Sequence, residues 1–511
     1  MITVKTGGTD RELGVAILGR RYQKSTVTCY EAARRVLKEI DGWPRATSGV
    51  QTWYSANPYD HTGGGFVSNP TDMGGKFLLN GSSIYIDLGH LEVCTAECRS
   101  ALDYTACVQA MLAIVQDAMR IANVHLPQGE ELVVYVDNTD RQGNSYGSHL
   151  NVTVSRQLWD ETFNLRLFPN LYFLASFQAS SIVLTGGGKV GSEDGTPAAD
   201  FQISRRADFI KTFVAEQTTI NRPMVNSRDE ALGREARLHS IFWDSVVLPA
   251  ANYLQLGCLQ LVSVLMEAGS EWMHPSVILE SPIDALRTWS RDPDLTATAR
   301  LIDGRRVTAL EHQELLLDQI ERLVATGIID DAVPDAAGVA AYWRETLNFL
   351  INRDWDRAAR RVEWLAKRQV LQGAMTARPD LDWQSLAIRH LDMSFGDLNV
   401  DRGVYWALLR NDLIDQPVSQ AHITNFKHHP PSDTRASART SLIRQLGDSV
   451  ASVDWAEIRV RGPKEVFSIH LPDPDQAGIP THDLAAALIE EKARQFYSLS
   501  PHIGKQQETH R

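Results

Sequence analysis

The apolar and polar positions divide the chain into a strand-rich N-terminal stretch, a helical middle and a second strand-bearing segment near the end. Residues 2–18 (ITVKTGGTDRELGVAIL) alternate on both sides of Gly7-Gly8, which predicts strand, glycine turn and strand. Helical spacing runs from about Thr28 to Ile40. Residues 43–76, rich in Trp, Tyr, Pro and Gly, then lose all periodicity. A long irregular loop of this kind is uncommon inside a compact domain and is usually functional. Ser83 to Leu88 (SIYIDL) alternates as a strand, residues 100–125 form an amphipathic helix, and Glu131 to Asp137 and residues 150–154 are further strands. From Trp243 to Ala374 the pattern is mainly helical, with breakers such as Asp292-Pro293. Residues 392–405 and 428–440 are compact polar segments between helices. Beyond about Leu442 the composition shifts: VDWAEIRV (453–460) and EVFSIHL (465–471) read as strands and Thr481 to Tyr497 as a helix. This predicts a large domain over 1–440 and a small C-terminal α/β domain over 441–511.

Composition narrows the class. The chain has 511 residues, 43% hydrophobic and 22% charged, which is ordinary for a globular protein and excludes a disordered, collagen-like or coiled-coil chain. The net charge of −12 argues against a nucleic-acid binder, which carries a basic stripe. Five cysteines, with no paired CxxC pattern, suit a reducing compartment. Cys94 and Cys98 are four apart but lack the second ligand pair that zinc requires. The opening MITVKTGG has no apolar core of a signal peptide. The uncharged run between Asp244 and Glu267 is long enough to span a bilayer, yet Pro249, Asn252, Gln255 and Gln260 within it predict a buried core helix. A cytoplasmic protein without membrane or nucleic-acid partners is expected.

The main candidate chemistry is carboxylate chemistry. Asp10 and Glu12 sit two apart on a predicted strand and therefore share a face. Asp87 closes a second strand, and Glu92 and Glu97 follow a turn. Mg²⁺ is usually held by a few carboxylates together with substrate phosphates, and His149 can add a nitrogen; the alternative is a set of solvated strand-end carboxylates. Arg206, Arg228, Arg435 and Arg439 are candidate phosphate ligands, because guanidinium matches phosphate geometry. Arg435 and Arg439, four apart, point the same way on a helix, either into a pocket or onto a solvated face. The run Thr185-Gly186-Gly187-Gly188-Lys189 lacks phosphate-loop spacing and reads as a tight turn.

Seven blocks in order carry a resemblance: GTDRELGV (8–15), LLNGSSIYIDLGHLEVCTAEC (78–98), DNTDRQGNSYGSHLN (137–151), FQISRRADFI (201–210), VNSRDE (225–230), RLH (237–239) and PPSDTRA (430–436). With them the chain, from about residue 8 to 460, resembles the Pup ligase (PafA) and Pup deamidase/depupylase (Dop) family. The resemblance implies an α+β fold. Its large domain would be glutamine synthetase-like, as in carboxylate–amine ligases, with a curved, mainly antiparallel sheet and packed helices. It implies Asp87 as the catalytic carboxylate and Asp10, Glu12, Glu92 and His149 as metal-site residues. It places Arg206, Arg228, Arg435 and Arg439 around nucleotide phosphates and offers Trp455 to adenine, the alternative for Trp455 being a core aromatic on a strand. ATP (or ADP plus phosphate) and Mg²⁺ are the implied cofactors. The implied partner is a Pup-like or ubiquitin-like protein modifier and its lysine conjugates. Two features resemble the depupylase: the 43–76 stretch fills the place of its long insertion, and Glu92 lies five residues after Asp87. Gly89 and Thr95-Ala96-Glu97 resemble the ligase. Leu91, Val93, Leu150 and the segment Glu230-Ala231-Leu232-Gly233 depart from both. The favoured reading is an ATP- and Mg²⁺-dependent amidohydrolase/isopeptidase acting on such a modifier. A ligase or a non-catalytic binding homologue is the alternative.

Overall fold

A computed structural model describes residues 2–19, 25–45, 75–141, 143–165, 168–219, 221–232, 235–462 and 465–479. The body of the 43–76 stretch and the helix expected at Thr481 to Tyr497 lie outside the described residues. One 11-stranded sheet organises the described part. Its centre is β1 (Gly7–Leu18), flanked by β2 (Ser83–Asp87), β3 (His90–Cys94), β4 (Glu131–Tyr135), β5 (Ser148–Ser155), β6 (Pro223–Asn226) and β7 (Glu235–Ser240). The order runs β6, β7, β5, β1, β3, β2 and then the short Lys76–Phe77 and Trp43–Pro44 strands, while β4 pairs with the far half of β1. These pairings are antiparallel; the strand Thr212–Ala215 completes the edge beyond β6, which it pairs in parallel, and the short strand Ala231–Leu232 pairs antiparallel with β7.

β1 is a single strand, not strand, turn and strand. Gly7-Gly8 continues it because bare backbone is needed there: a Cβ on Gly7 would stand 2.6 Å from Leu256 Cδ1 and 2.9 Å from the Asn151 carbonyl. The pair marks close packing. β1 alternates in burial, and helices α1 (Ser25–Lys38) and α4 (Pro249–Ala268) pack against it, with α2 (Ala101–Val124) and α3 (Asn170–Thr185) extending the helical layer. Ser100 caps α2 by accepting from the Asp103 amide.

α4 is the long uncharged run, buried as expected, and its polar side chains bond within the protein, with Gln260 Oε1 left without a partner. Asn252 and Gln255 accept from Arg11 at 2.5 and 3.2 Å, and Gln260 donates to the Lys5 and Arg99 carbonyls. No single helix among the described residues is long and apolar enough to cross a membrane. The glycine run after α3 is not a tight turn but an irregular link into the short strand Lys189–Val190, where the Gly187 amide donates to Asp244 and Lys189 pairs with Asp208.

A second hydrophobic cluster gathers Phe77, Ala438, Leu442, Ile443, Val453, Ile458 and Ile469. α5 (Arg435–Leu446) runs across the expected boundary at 440 and contributes to this cluster. Residues 453–460 are not one strand: Val450–Val453 and Glu457–Arg461 pair across a turn through Asp454, Trp455 and Ala456. Val466–His470 adds the third strand.

Candidate active site

Strand register builds the site on the face of the sheet away from the helices. Directly opposed residues in antiparallel strands share a face. Asp10 is opposite His149 on one side and Cys94 on the other, and Glu12 is opposite Glu92. Glu92 in turn faces Tyr85, and Asp87 faces His90. His239 is opposite Asn151. Arg11, between Asp10 and Glu12, points into the core. The β2–β3 turn is Leu88-Gly89, both at positive φ (45° and 90°), the two-residue hairpin geometry that suits glycine. It ends β2 at Asp87 and starts β3 at His90.

Two groups of donors result. The carboxylate oxygens of Glu12, Asp87 and Glu92 lie within 4.8 Å of one another, and so do the donors of Asp10, His149 and His239. Burial pushes the Asp87 carboxyl up to about 7, with the Glu12 charge adding to it and Arg45 opposing. Burial raises Glu92 well above the usual carboxylate range, reinforced by Asp87, Glu12 and Asp10. Carboxylates buried and crowded in this way are a site for a cation: a divalent ion offsets both the cost of burying the charge and the mutual repulsion. The residues therefore fit Mg²⁺. His90 lies at the rim, its Nδ1 3.5 Å from Glu12 Oε2 and its ring stacked on Tyr146 at 4.5 Å.

Cations border the imidazole end. Arg206 is fully buried; its Nη1 donates to the Ile241 and Trp243 carbonyls, while Nε and Nη2 have no partner. Burial pushes it down to about 9, helped by Arg222. An unsatisfied buried guanidinium is costly, and a phosphate oxygen would satisfy it. Arg228 is half-exposed beside Asn226. Burial, then the charges of Arg206, Arg222, Arg237 and Arg228, drives His149 well below its ordinary value.

The structure does not bring Arg435 and Arg439 to this cationic border. Both do point the same way on α5, but onto Glu97: Arg435 Nε is 2.6 Å from Oε1 and Arg439 Nη2 2.7 Å from Oε2. Their remaining bonds go to the carbonyls of Leu471, Pro472, Trp455 and Gly81. Glu97 is thus an anchor: the two arginines outweigh burial and hold it at about 2. Trp455 lies on a turn, half-buried, edge-on to Phe77 at 5.0 Å and 5.1 Å from the Arg439 guanidinium. Four residues of the site face were not singled out from the sequence: His239, Arg237, Tyr85 and Arg45. Arg237 bonds Asp10 Oδ2 at 3.0 Å, and the Arg45 guanidinium sits 3.8 Å over the Tyr85 ring. His239 was within reach, since RLH (237–239) alternates as a strand.

A family model described as Pup-ligase protein matches residues 6–459. The chain belongs to this family. It is 33% identical to the Pup deamidase/depupylase of Mycolicibacterium smegmatis over 385 residues, 75% of this chain and 74% of that protein. It is also 33% identical to the Pup--protein ligase of Paenarthrobacter aurescens over 396 residues, 75% of this chain and 84% of that one. The structure superposes on PafA in its complex with the prokaryotic ubiquitin-like protein Pup with a TM-score of 0.77 at 23% identity, covering 98% and 94% of the two chains. For PafA in complex with ADP the TM-score is 0.71 at 24% identity, covering 82% and 90%. The mixed sheet with its helical layer is the fold of PafA.

Proposed function

We propose that this family member is an ATP- and Mg²⁺-dependent amidohydrolase/isopeptidase that deamidates a Pup-like modifier or removes it from lysines. The observation that supports this reading is the placement of Asp87: a carboxyl at a strand end, crowded by Glu12 and Glu92, at the edge of a cation-lined face. Identity to the named relatives is the same in both directions of the chemistry, 33%, and does not choose between them. The five-residue step from Asp87 to Glu92 and the 43–76 stretch favour hydrolysis.

In this reading Glu12 and Glu92, with Asp10 and His149, hold Mg²⁺, which offsets the charge of the nucleotide phosphates. Arg206 and Arg228 take phosphate oxygens, and Trp455 borders the adenine. Asp87 acts on the scissile amide. As nucleophile it bonds the carbonyl carbon, the amine leaves with a proton, and water then cleaves the acyl-aspartate; as base it takes a proton from the attacking water. Mass spectrometry of Asp87 during turnover separates the two, because only the nucleophile becomes acylated. Preorganised cations around the developing negative charge supply most of the rate.

The test is mass spectrometry of a Pup-type modifier ending in glutamine, incubated with the protein, ATP and Mg²⁺. A gain of about 1 Da that vanishes in Asp87→Asn is the expected result, since the terminal amide becomes an acid. Asp87→Asn retains nucleotide binding. Turnover that survives this substitution overturns the role of Asp87. A heavier conjugate, formed from a glutamate-ended modifier and a lysine-bearing target, identifies the ligase instead. Binding without any turnover identifies a non-catalytic homologue.

A further inference from the structure

We propose that Arg45 is a positioning residue for the reaction: its guanidinium lies on the Tyr85 ring and holds that side chain in place beside the Asp87 and Glu92 carboxylates. Arg45 acts here through Tyr85 and not on the substrate. This rests on reading Asp87 as the group that acts on the scissile amide.

Strand alternation puts Tyr85 and Asp87 on one face of β2, while Ile84 and Ile86 go into the core. Register sets Tyr85 directly opposite Glu92 on β3. The ring therefore stands against one carboxylate across the strands and beside the other along its own strand. The Arg45 guanidinium is 3.8 Å from the centre of this ring. A planar guanidinium stacks on an aromatic face, which a lysine ammonium does not do. Its charge also acts on Glu92 and Cys94 and opposes the rise of the Asp87 carboxyl. Arg206, Arg222, Arg228 and Arg237 gather instead around His149. Among the described residues, Arg45 is the cation that offsets Asp87.

The backbone holds Arg45 where this contact needs it. Its amide donates to the Gly75 carbonyl at 2.9 Å, and Arg45 bridges Val453 of the C-terminal strands. Trp43–Pro44, just before it, pairs with Lys76–Phe77. Gly75 leaves the space in which the two side chains lie. A Cβ there would stand 3.0 Å from Arg45 Cδ and 3.1 Å from both Arg45 Cβ and Tyr85 Cβ. Any side chain at position 75 would wedge between Arg45 and Tyr85. Two distant parts of the chain thus fix the Arg45 backbone, and a bare glycine clears its path to the ring. An arginine that met a tyrosine by chance on a surface would need neither.

The experiment measures turnover of a Pup-type modifier ending in glutamine by the full chain with ATP and Mg²⁺. In Arg45→Ala, kcat is expected to fall about 10–100-fold, the cost of an ångström-scale misplacement, with KM for modifier and ATP within about twofold. Guanidinium ion added at a non-denaturing concentration should restore part of kcat. Urea, of the same planar shape but uncharged, should not. Gly75→Ala keeps the charge but parts the two side chains, so its kcat should fall as well; it also serves if Arg45→Ala does not fold. Placement is read without turnover from the ¹⁹F resonance of Tyr85 in the fluorotyrosine-labelled chain, assigned by Tyr85→Phe. This line should move or broaden in Arg45→Ala and return with guanidinium. Unchanged kcat in a folded Arg45→Ala or Gly75→Ala protein, rescue by urea as well as by guanidinium, or a Tyr85 line indifferent to Arg45 overturns the inference. A parent chain without turnover refutes the proposed function instead, and the Tyr85 line then decides alone whether Arg45 holds this ring.

Discussion

Asp87 is half-buried and His312 fully buried, and desolvation moves the two in opposite senses because each resists becoming charged. His312 is fully buried, with Nε2 donating to the Val277 carbonyl at 2.7 Å and Nδ1 2.8 Å from Ser180 Oγ. Burial pushes it down to about 4. Between pH 6.5 and 4 the unfolded chain therefore binds a proton that the native state refuses. Stability falls as pH drops through this window, by up to about 3 kcal/mol from this residue. In urea unfolding at pH 7.5 and pH 5, His312→Gln should lose less stability on acidification than the parent chain. Equal losses would show that this histidine is not the titrating group. His312 was not visible as special from its sequence neighbours, because its partners Ser180 and Val277 lie 132 and 35 positions away. Asp10 and Glu12 were legible for the opposite reason: a spacing of two on a strand needs no long-range knowledge to put both on one face.

At the scale of elements, β1 shows what local pattern carries and where it stops. Its alternation gave the correct face for Asp10, Arg11 and Glu12, but the glycine pair read as a turn, since glycine punctuates most local patterns. The actual cause is α4, about 250 residues later, whose Leu256 occupies the space a side chain at position 7 would need. Gly7→Val should cost about 1–3 kcal/mol by overpacking, measured by denaturant unfolding, and should be partly rescued by Leu256→Ala. No rescue would mean that the backbone contact with Asn151 dominates. The strand expected at 453–460 failed in the complementary way. Asp454 donates its amide to the Glu457 carbonyl at 2.7 Å, a tight turn hidden inside a run of otherwise strand-forming residues.

The whole molecule is held together at a place the sequence marked for ligand binding. Arg435 and Arg439 were read as phosphate ligands, and their helical spacing does aim them together, but composition cannot tell a phosphate from a protein carboxylate as the anion they meet. Glu97 is that anion, supplied just after β3, and it links α5 and the second hydrophobic cluster to the main sheet. All three side chains are buried or nearly so. Removing one member of such a group leaves uncompensated buried charge, at a cost of about 3–5 kcal/mol. Glu97→Gln should therefore lower overall stability by about that amount and separate unfolding into two transitions, the first reported by Trp455 fluorescence. The pH dependence follows with a definite sign. Glu97 is held at about 2, below its ordinary 4.5, so its stabilisation is full above pH 4.5 and is lost as pH falls through 2. The parent chain should show this acid loss and Glu97→Gln should not. A variant that unfolds in one transition, with the acid loss intact, would mean that the C-terminal cluster is joined to the sheet by apolar packing alone.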